Sequence, residues 1–441
     1  MMAVTGLPNV VLVVVDTLRA DHLGCYGYQR PTSPCLDALA AQGTVCDAFF
    51  CAGLPTQPAF TTLYTGQHPL THGVIAHGGR ATLAREAPFL PQLLVTAGYT
   101  TAAVDNLARL RHWFLRGYEY YIDPSVRHPL LLEVSAAEIN ARALPWLRAH
   151  AAEPFFLLLH YWDPHWPLCP PERFRHLFYQ GNPTDPTNRA LEAWWQEPLG
   201  ALARETWLRR PEGPVTDPAY IVALYDQEIR AVDEAIGELV AEIDRLGLDE
   251  DTLLLVLADH GESLTEHGIF FEHRGLYEPT LRVPCLARWP GRIPAGRRLS
   301  ALLQHHDLAP TILEALGLEI PPAMDGQSFW PLLSGATTTG GREAIIGCEC
   351  TWQARWSLRT ARYKFILARD PDRTGGPPRE LYDLWVDPAE ERNLVDDEPA
   401  LAAALETQLE AWIADRLAAL GLAEDPLVAQ GASLGDLPVL A

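Results

Sequence analysis

Four apolar runs, each closed by polar side chains, constrain this chain more than any other feature. NVVLVVV (9–15) ends at Asp16, and TTAAV (100–104) ends at Asp105-Asn106. PFFLLLHYW (154–162) runs into Asp163-Pro164-His165, and TLLLVLA (252–258) into Asp259-His260-Gly261-Glu262. Runs this continuous read as strands buried on both faces, because a half-buried strand would alternate with polar residues. Helical patterns lie between them: SPCLDALAAQG (33–43) with a Ser start and a Gly stop, APFLPQLLVTAGY (87–99), and a long stretch over 219–247. The alternation predicts an α/β fold, a large, mostly parallel sheet sandwiched by helices. Ligands of such sheets sit outside the carboxyl ends of the strands, where Asp16, Asn106, His165, Asp259 and His260 would converge. Two carboxylates with a histidine there make a hard O/N site for a divalent cation. The competing reading of Asp259-His260 is a helix N-cap beside a structural histidine.

Segment 166–218 is rich in Pro, Trp and Arg and reads either as an excursion over the site or as a surface insertion. TTTGG after PLLSG (331–335) signals a linker, which divides a catalytic region, 1–335, from a C-terminal subdomain, 340–425. ARWSLRT, YKFILAR and ELYDLWVD predict a small antiparallel sheet there, followed by a helix over 399–420 and a Gly/Pro-containing tail. The formal charge of −22 argues against a nucleic-acid or anionic-membrane partner. An anionic substrate therefore needs a local positive centre, which a bound metal supplies. Eight cysteines without a CxxC pair read as reduced thiols, mostly buried. The start lacks a basic n-region and a cleavage site, and no run reaches the ~20 apolar residues of a membrane span. The expected location is the cytoplasm.

The chain is similar to the sulfatase family of the alkaline phosphatase superfamily. The likeness is carried by the block from Asn9 to Phe50, and by TGQHPLTHGV, GYTTAAV, DPHWP, ADHGESLTEHG and LYEPTLRVP. HHDLAPTILEALGL, MDGQSFWPLL, RTARYKFI and ELYDLWVDPAEERNL extend it, in order, to about residue 395. The resemblance implies a large α/β domain plus a small C-terminal α+β domain. It also implies a metal-dependent ester hydrolase acting on a small anionic ester.

Its departures are informative. Sulfatases carry Cys or Ser in C/S-x-P-x-R, oxidised to formylglycine. Counting from either flanking block places that position on Thr56 and leaves Cys51 as an ancillary cysteine. Threonine cannot become formylglycine, since its β-carbon bears a methyl group. The Gly-Lys-Trp-His that follows GYxTA in sulfatases is Asp105-Asn106-Leu107-Ala108 here, and the paired Asp-Asp of the first strand is Asp16-Thr17. The Lys before the Leu-Tyr-Glu block gives way to Glu272-His273. DTLRADH (16–22) resembles the threonine-nucleophile branch, which includes phosphoethanolamine transferases and nucleotide pyrophosphatases. By that likeness Asp16, Thr56, Asp259 and His260 bind a manganese, zinc, magnesium or calcium ion. His165 and His273 then hold substrate oxygens, protonate the leaving group, or bind a second metal, and Asn106 contacts substrate. Asp163 reads as a turn, His72, His267 and His305 as structural, and His306-Asp307 as a helix cap. The expected reaction is displacement at phosphorus by the Thr56 hydroxyl on phosphate mono- or diesters or phosphonate monoesters. The alternatives are sulfate-ester hydrolysis without formylglycine, phosphoryl transfer, and a non-catalytic binding module.

Overall fold

The structure, a computed structural model, describes residues 6–78, 81–128, 130–371 and 376–433. The expected tail is described as far as residue 433 and includes a short helix, Pro426–Gln430; the rest of it lies outside the described residues. In chain order the N-terminal part supplies β1 (Asn9–Val15), α1 (Pro34–Gln42), β2 (Thr44–Cys46), β3 (Gly53–Leu54) and α2 (Thr56–Thr65). Next come β4 (Thr100–Val104), β5 (Tyr120–Ile122), α3 (Ala136–His150) and β6 (Phe155–Tyr161). They are followed by α4 (Pro218–Arg245), β7 (Thr252–Ala258), β8 (Cys285–Arg288) and β9 (Arg297–Leu299). Eight strands form one sheet in the order β9-β2-β8-β7-β1-β6-β4-β5. The five strands from β7 to β5 run parallel, and β8 pairs antiparallel with β7 and β2.

β1, β6 and β7 are buried along their whole length, which is why their sequences do not alternate. Each Val, Leu or Phe buried there contributes about 1.5–3 kcal/mol, so the centre of the sheet is also its most stable part. α3 starts at a capping box in which Ser135 and Glu138 satisfy each other's backbone amides. α4 starts at Asp217, whose carboxylate accepts from the Ala219 amide. Ser33 precedes α1 as expected but does not cap it: its hydroxyl accepts from Gly24 N and donates to Asp37. The amides of Cys35 and Leu36 bond to Asp233 of α4 instead, which ties the two helices together. The helix expected over 87–99 is Leu90–Thr96.

The second sheet comprises β10 (Ala344–Glu349), β11 (Arg355–Thr360), β12 (Tyr363–Ala368) and β13 (Arg379–Asp383), backed by α5 (Pro399–Leu420). β10 to β13 are antiparallel neighbours, as the sequence implied. The short β3 completes this sheet by pairing parallel to β10, Gly53 opposite Cys348 and Leu54 opposite Glu349. The residues just before α2 are thus built into the C-terminal sheet. Segment 166–218 contributes the helix Pro198–Glu205 and buries Trp194 against Phe271, so it is packed onto the molecule. No helix among the described residues is long and apolar enough to cross a membrane.

Candidate active site

The register of the central strands builds the site. Val15 pairs with Ala258, so Asp16 and Asp259 are the next residues on adjoining strands. Asp16 N donates to Tyr161 O at 2.8 Å, which locks the top of β6 beside them. Asp16, Asp259 and His260 are fully buried, and one ligand atom from each lies within 4.8 Å of the others. Both Asp16 carboxylate oxygens and Asp259 Oδ2 lack a hydrogen-bond partner among the described residues. Carboxylate oxygens orphaned in a buried well are costly, and a cation placed between them removes that cost. His260 commits its Nδ1 hydrogen to Gly261 O at 2.9 Å, which leaves the Nε2 lone pair facing Asp259 Oδ2 at 3.4 Å. Two carboxylates and an imidazole nitrogen presented this way fit a divalent metal ion.

Local backbone details hold this geometry. A Cβ on Gly261 would lie 1.9 Å from Pro279 O, so only glycine permits the chain to pass there. Thr17 has a φ of 55°, rare for a β-branched residue. Its amide donates to Asp259 Oδ1 at 3.2 Å and its carbonyl accepts from Tyr225. Thr17, which replaces the family's second strand-end carboxylate, serves through its backbone. No helix starts at Asp259-His260, which rules out the capping reading.

Thr56 is the first residue of α2, all ten residues of which are buried. Its hydroxyl lies 3.3 Å from His260 Nε2. The helix macrodipole places partial positive charge at this end, which favours an anionic group beside the Thr56 hydroxyl. Cys51 is fully buried and its Sγ bonds to Gly53 O at 3.2 Å. Burial pushes its thiol far above the ordinary range, so it is inert packing. Phe60 stands at the Arg position of C/S-x-P-x-R, and its ring packs 4.6 Å from His160.

His165 and His273 extend the well outward. The ring of His273 lies 4.8 Å from His260, and that of His165 lies 5.2 Å from His273. His273 Nδ1 approaches Glu262 Oε2 at 3.4 Å, and His165 Nδ1 bonds to Trp166 O at 2.6 Å. Asn106 is buried with its carbonyl accepting from Trp162 Nε1 at 2.8 Å. Asp163 accepts from Ala136 N at 2.7 Å, outside the ligand cluster. His72 bonds to Thr62, His305 to Ala258 O, and His267 stacks on Tyr277. Asp307 accepts from Gln304 N and Gln327 N, a capping role one turn earlier than expected.

Two histidines escape the sequence reading. His160, inside the apolar run of β6, is fully buried between Asp105 at 2.9 Å and Asp16 at 3.4 Å. Burial opposes its charge, but the neighbouring Asp105 and Asp16 carboxylates raise it to about 9. Its only signal was a titratable residue in a strand that should be wholly apolar. His77 follows the TGQHPLTHGV block. Burial lowers it to about 4, and its charge couples to Asp16, His165 and His260.

The electrostatics separate the two carboxyls. Burial opposes ionisation of Asp16, yet His160, His165 and His260 hold it below its ordinary value. Burial and the Asp16 charge push Asp259 up to about 7. Like charges crowded into one buried well produce this split, and a divalent cation would relieve it.

The profile described as Sulfatase matches residues 8–318, and one described as N-sulphoglucosamine sulphohydrolase, C-terminal, matches residues 265–416. An N-acetylglucosamine-6-O-sulfatase of Bacteroides thetaiotaomicron is 25% identical over 88% of this chain and 83% of its own length. A mouse steryl-sulfatase is 26% identical over 88% of this chain and 79% of its own. The phosphonate monoester hydrolase of Agrobacterium radiobacter superposes with a TM-score of 0.74 at 23% identity, covering 93% of this chain and 96% of that one. With the Sulfatase profile spanning well over half of it, the chain belongs to the sulfatase family.

Proposed function

We propose that the protein hydrolyses sulfate esters at a metal site formed by Asp16, Asp259 and His260, with Thr56 as nucleophile in place of formylglycine. The observation that carries this reading is the Thr56 hydroxyl, at a buried helix N-terminus 3.3 Å from His260. The sequence alone put phosphorus esters first; the sulfatase names of the relatives support sulfate instead. A divalent cation held by the three ligands would offset negative charge on the Thr56 oxygen and on the ester oxygens. The Thr56 oxygen attacks sulfur and gives up its hydroxyl proton to solvent, the bond from sulfur to the ester oxygen breaks, and the leaving oxygen takes a proton from solvent. A neutral His165, its Nδ1 hydrogen on Trp166 O, accepts through Nε2, which leaves His273 as the ring on the outer side of the well to hydrogen-bond the ester oxygens; a positioned side chain that acts in proton transfer is worth about 10²- to 10⁴-fold. Water then attacks sulfur and loses a proton, the bond from sulfur to the Thr56 oxygen breaks, and sulfate leaves as Thr56 regains its hydroxyl proton.

Phosphorus esters are the second reading, favoured by Thr56 itself. A sulfuryl-threonine lacks the second hydroxyl through which a formylglycine diol expels sulfate, whereas threonine serves the phosphorus branch as it stands. Rates on 4-nitrophenyl sulfate, 4-nitrophenyl phosphate, its bis-ester and its phenylphosphonate, each with four divalent metals, separate the two. Preference for sulfate is the expected result; a phosphorus preference of more than about tenfold (~1.4 kcal/mol) would replace the first reading by the second.

A further inference from the structure

Outward from the nucleophile the site continues as a line of rings. Thr56 touches His260, His273 follows at 4.8 Å, and Trp352 lies 5.0 Å beyond it, edge-on at 79°. Trp352 comes from the loop after β10, so the C-terminal sheet supplies the far end of the line. Its side chain is partly exposed, unlike the buried residues on either side of it. The loop is anchored from both directions. Thr351 Oγ1 accepts from His77 N at 2.9 Å. The buried Glu349 carboxylate accepts from Gly275 N at 2.8 Å and from the Trp352 backbone. Those bonds fix Trp352 to the same segment that carries His273. On the other side, Trp166 lies 5.1 Å from His165 and is also partly exposed. On the segment that carries His273, Glu272 is paired with Arg274 at 2.8 Å.

We propose that Trp352 is the specificity wall of the site, and that the ester it selects is borne by an uncharged, ring-containing alcohol. The inference deepens the ester-hydrolase reading and rests on it. A flat aromatic face binds rings through dispersion and stacking. The net charge of −22 disfavours an alcohol with further anionic groups.

The test is calorimetric titration of the metal-loaded protein with inorganic phosphate, phenylphosphonate and 4-carboxyphenylphosphonate. Trp352→Ala is expected to weaken phenylphosphonate about five- to tenfold and to leave phosphate within about twofold, with Trp352→Phe recovering most of the loss. In the wild type the carboxylated ring is expected to bind more weakly than the plain one. Equal loss for phosphate and phenylphosphonate, no loss for either, or no penalty for the carboxylate overturns the proposal. A wild type that binds neither anion overturns it together with the ester reading. Ring-selective binding without turnover of any sulfate or phosphorus ester sinks the hydrolase reading alone.

Discussion

The β-methyl of threonine bars its conversion to formylglycine, so Thr56 Oγ1 would have to act as a plain hydroxyl beside His260. Thr56→Ala should lower kcat/KM by about 10³-fold or more, while Thr56→Ser should retain measurable turnover. Cys51→Ala should leave most activity, because its thiol only packs and bonds to Gly53 O. Substantial turnover by Thr56→Ala would remove the nucleophile from the account. Asp16 and Asp259 each bring a charge and an orphaned oxygen to the well. Asp16→Asn or Asp259→Asn should therefore weaken metal affinity by at least about tenfold, read by calorimetry rather than by rate. Unchanged affinity in both would sink the metal site. Asp16, Asp259 and His260 were legible because polar residues ended apolar runs. That Thr56 stands beside them was legible only by counting from two flanking blocks. His160 was not legible, because a histidine within a continuous apolar run looks like strand interior until Asp105 is seen across the sheet.

At the scale of elements, buried ionic groups tie strands and helices together. Lys364 of β12 is fully buried and pairs with Glu390 at 2.7 Å and with Glu278 at 3.0 Å, which joins the C-terminal sheet to the short helix Glu278–Leu281. Lys364→Ala strands Glu390, while Glu278 keeps Arg359 at 3.1 Å, and should cost about 3–5 kcal/mol in denaturant unfolding. Lys364→Met combined with Glu390→Gln and Glu278→Gln should recover much of that loss; a single variant as stable as wild type would contradict the pairing. Asp163, after β6, faces Glu228 of α4. Burial first, and the neighbouring Glu138 charge, raise Asp163 to about 6. A carboxyl raised in the folded state is fully favourable below its unfolded value near 4, and its contribution is lost as pH rises through about 6. Asp163→Asn keeps an acceptor for Ala136 N, so it should flatten that decline and gain about 1 kcal/mol at pH 7, measured by melts from pH 4 to 8. An unchanged pH profile would show that Asp163 is not the group responsible. The central strands were legible because burial on both faces writes unbroken apolar sequence. β3, β8 and β9, of two to four residues, were not, since such short runs carry no periodicity.

Over the whole molecule, the nucleophile and the C-terminal sheet are one construction. β3 pairs with β10 immediately before Thr56, and the loop after β10 returns Trp352 to the mouth of the site. A division drawn at the TTTGG stretch separates residues that the pairing joins. That join was invisible in the sequence, because Gly53–Leu54 and Trp352 are nearly 300 residues apart and neither stretch repeats a pattern. The central claim is that a threonine carries the transferred group in a sulfatase fold. High-resolution peptide mass analysis of enzyme quenched during turnover tests it most directly, using 4-nitrophenyl sulfate first and the phosphorus esters in parallel. The account predicts a gain of one SO₃ unit on the Thr56 peptide, absent in Thr56→Ala, and an unmodified Cys51. A Thr56 peptide that never gains mass from any ester, together with formylglycine at residue 51, would contradict it.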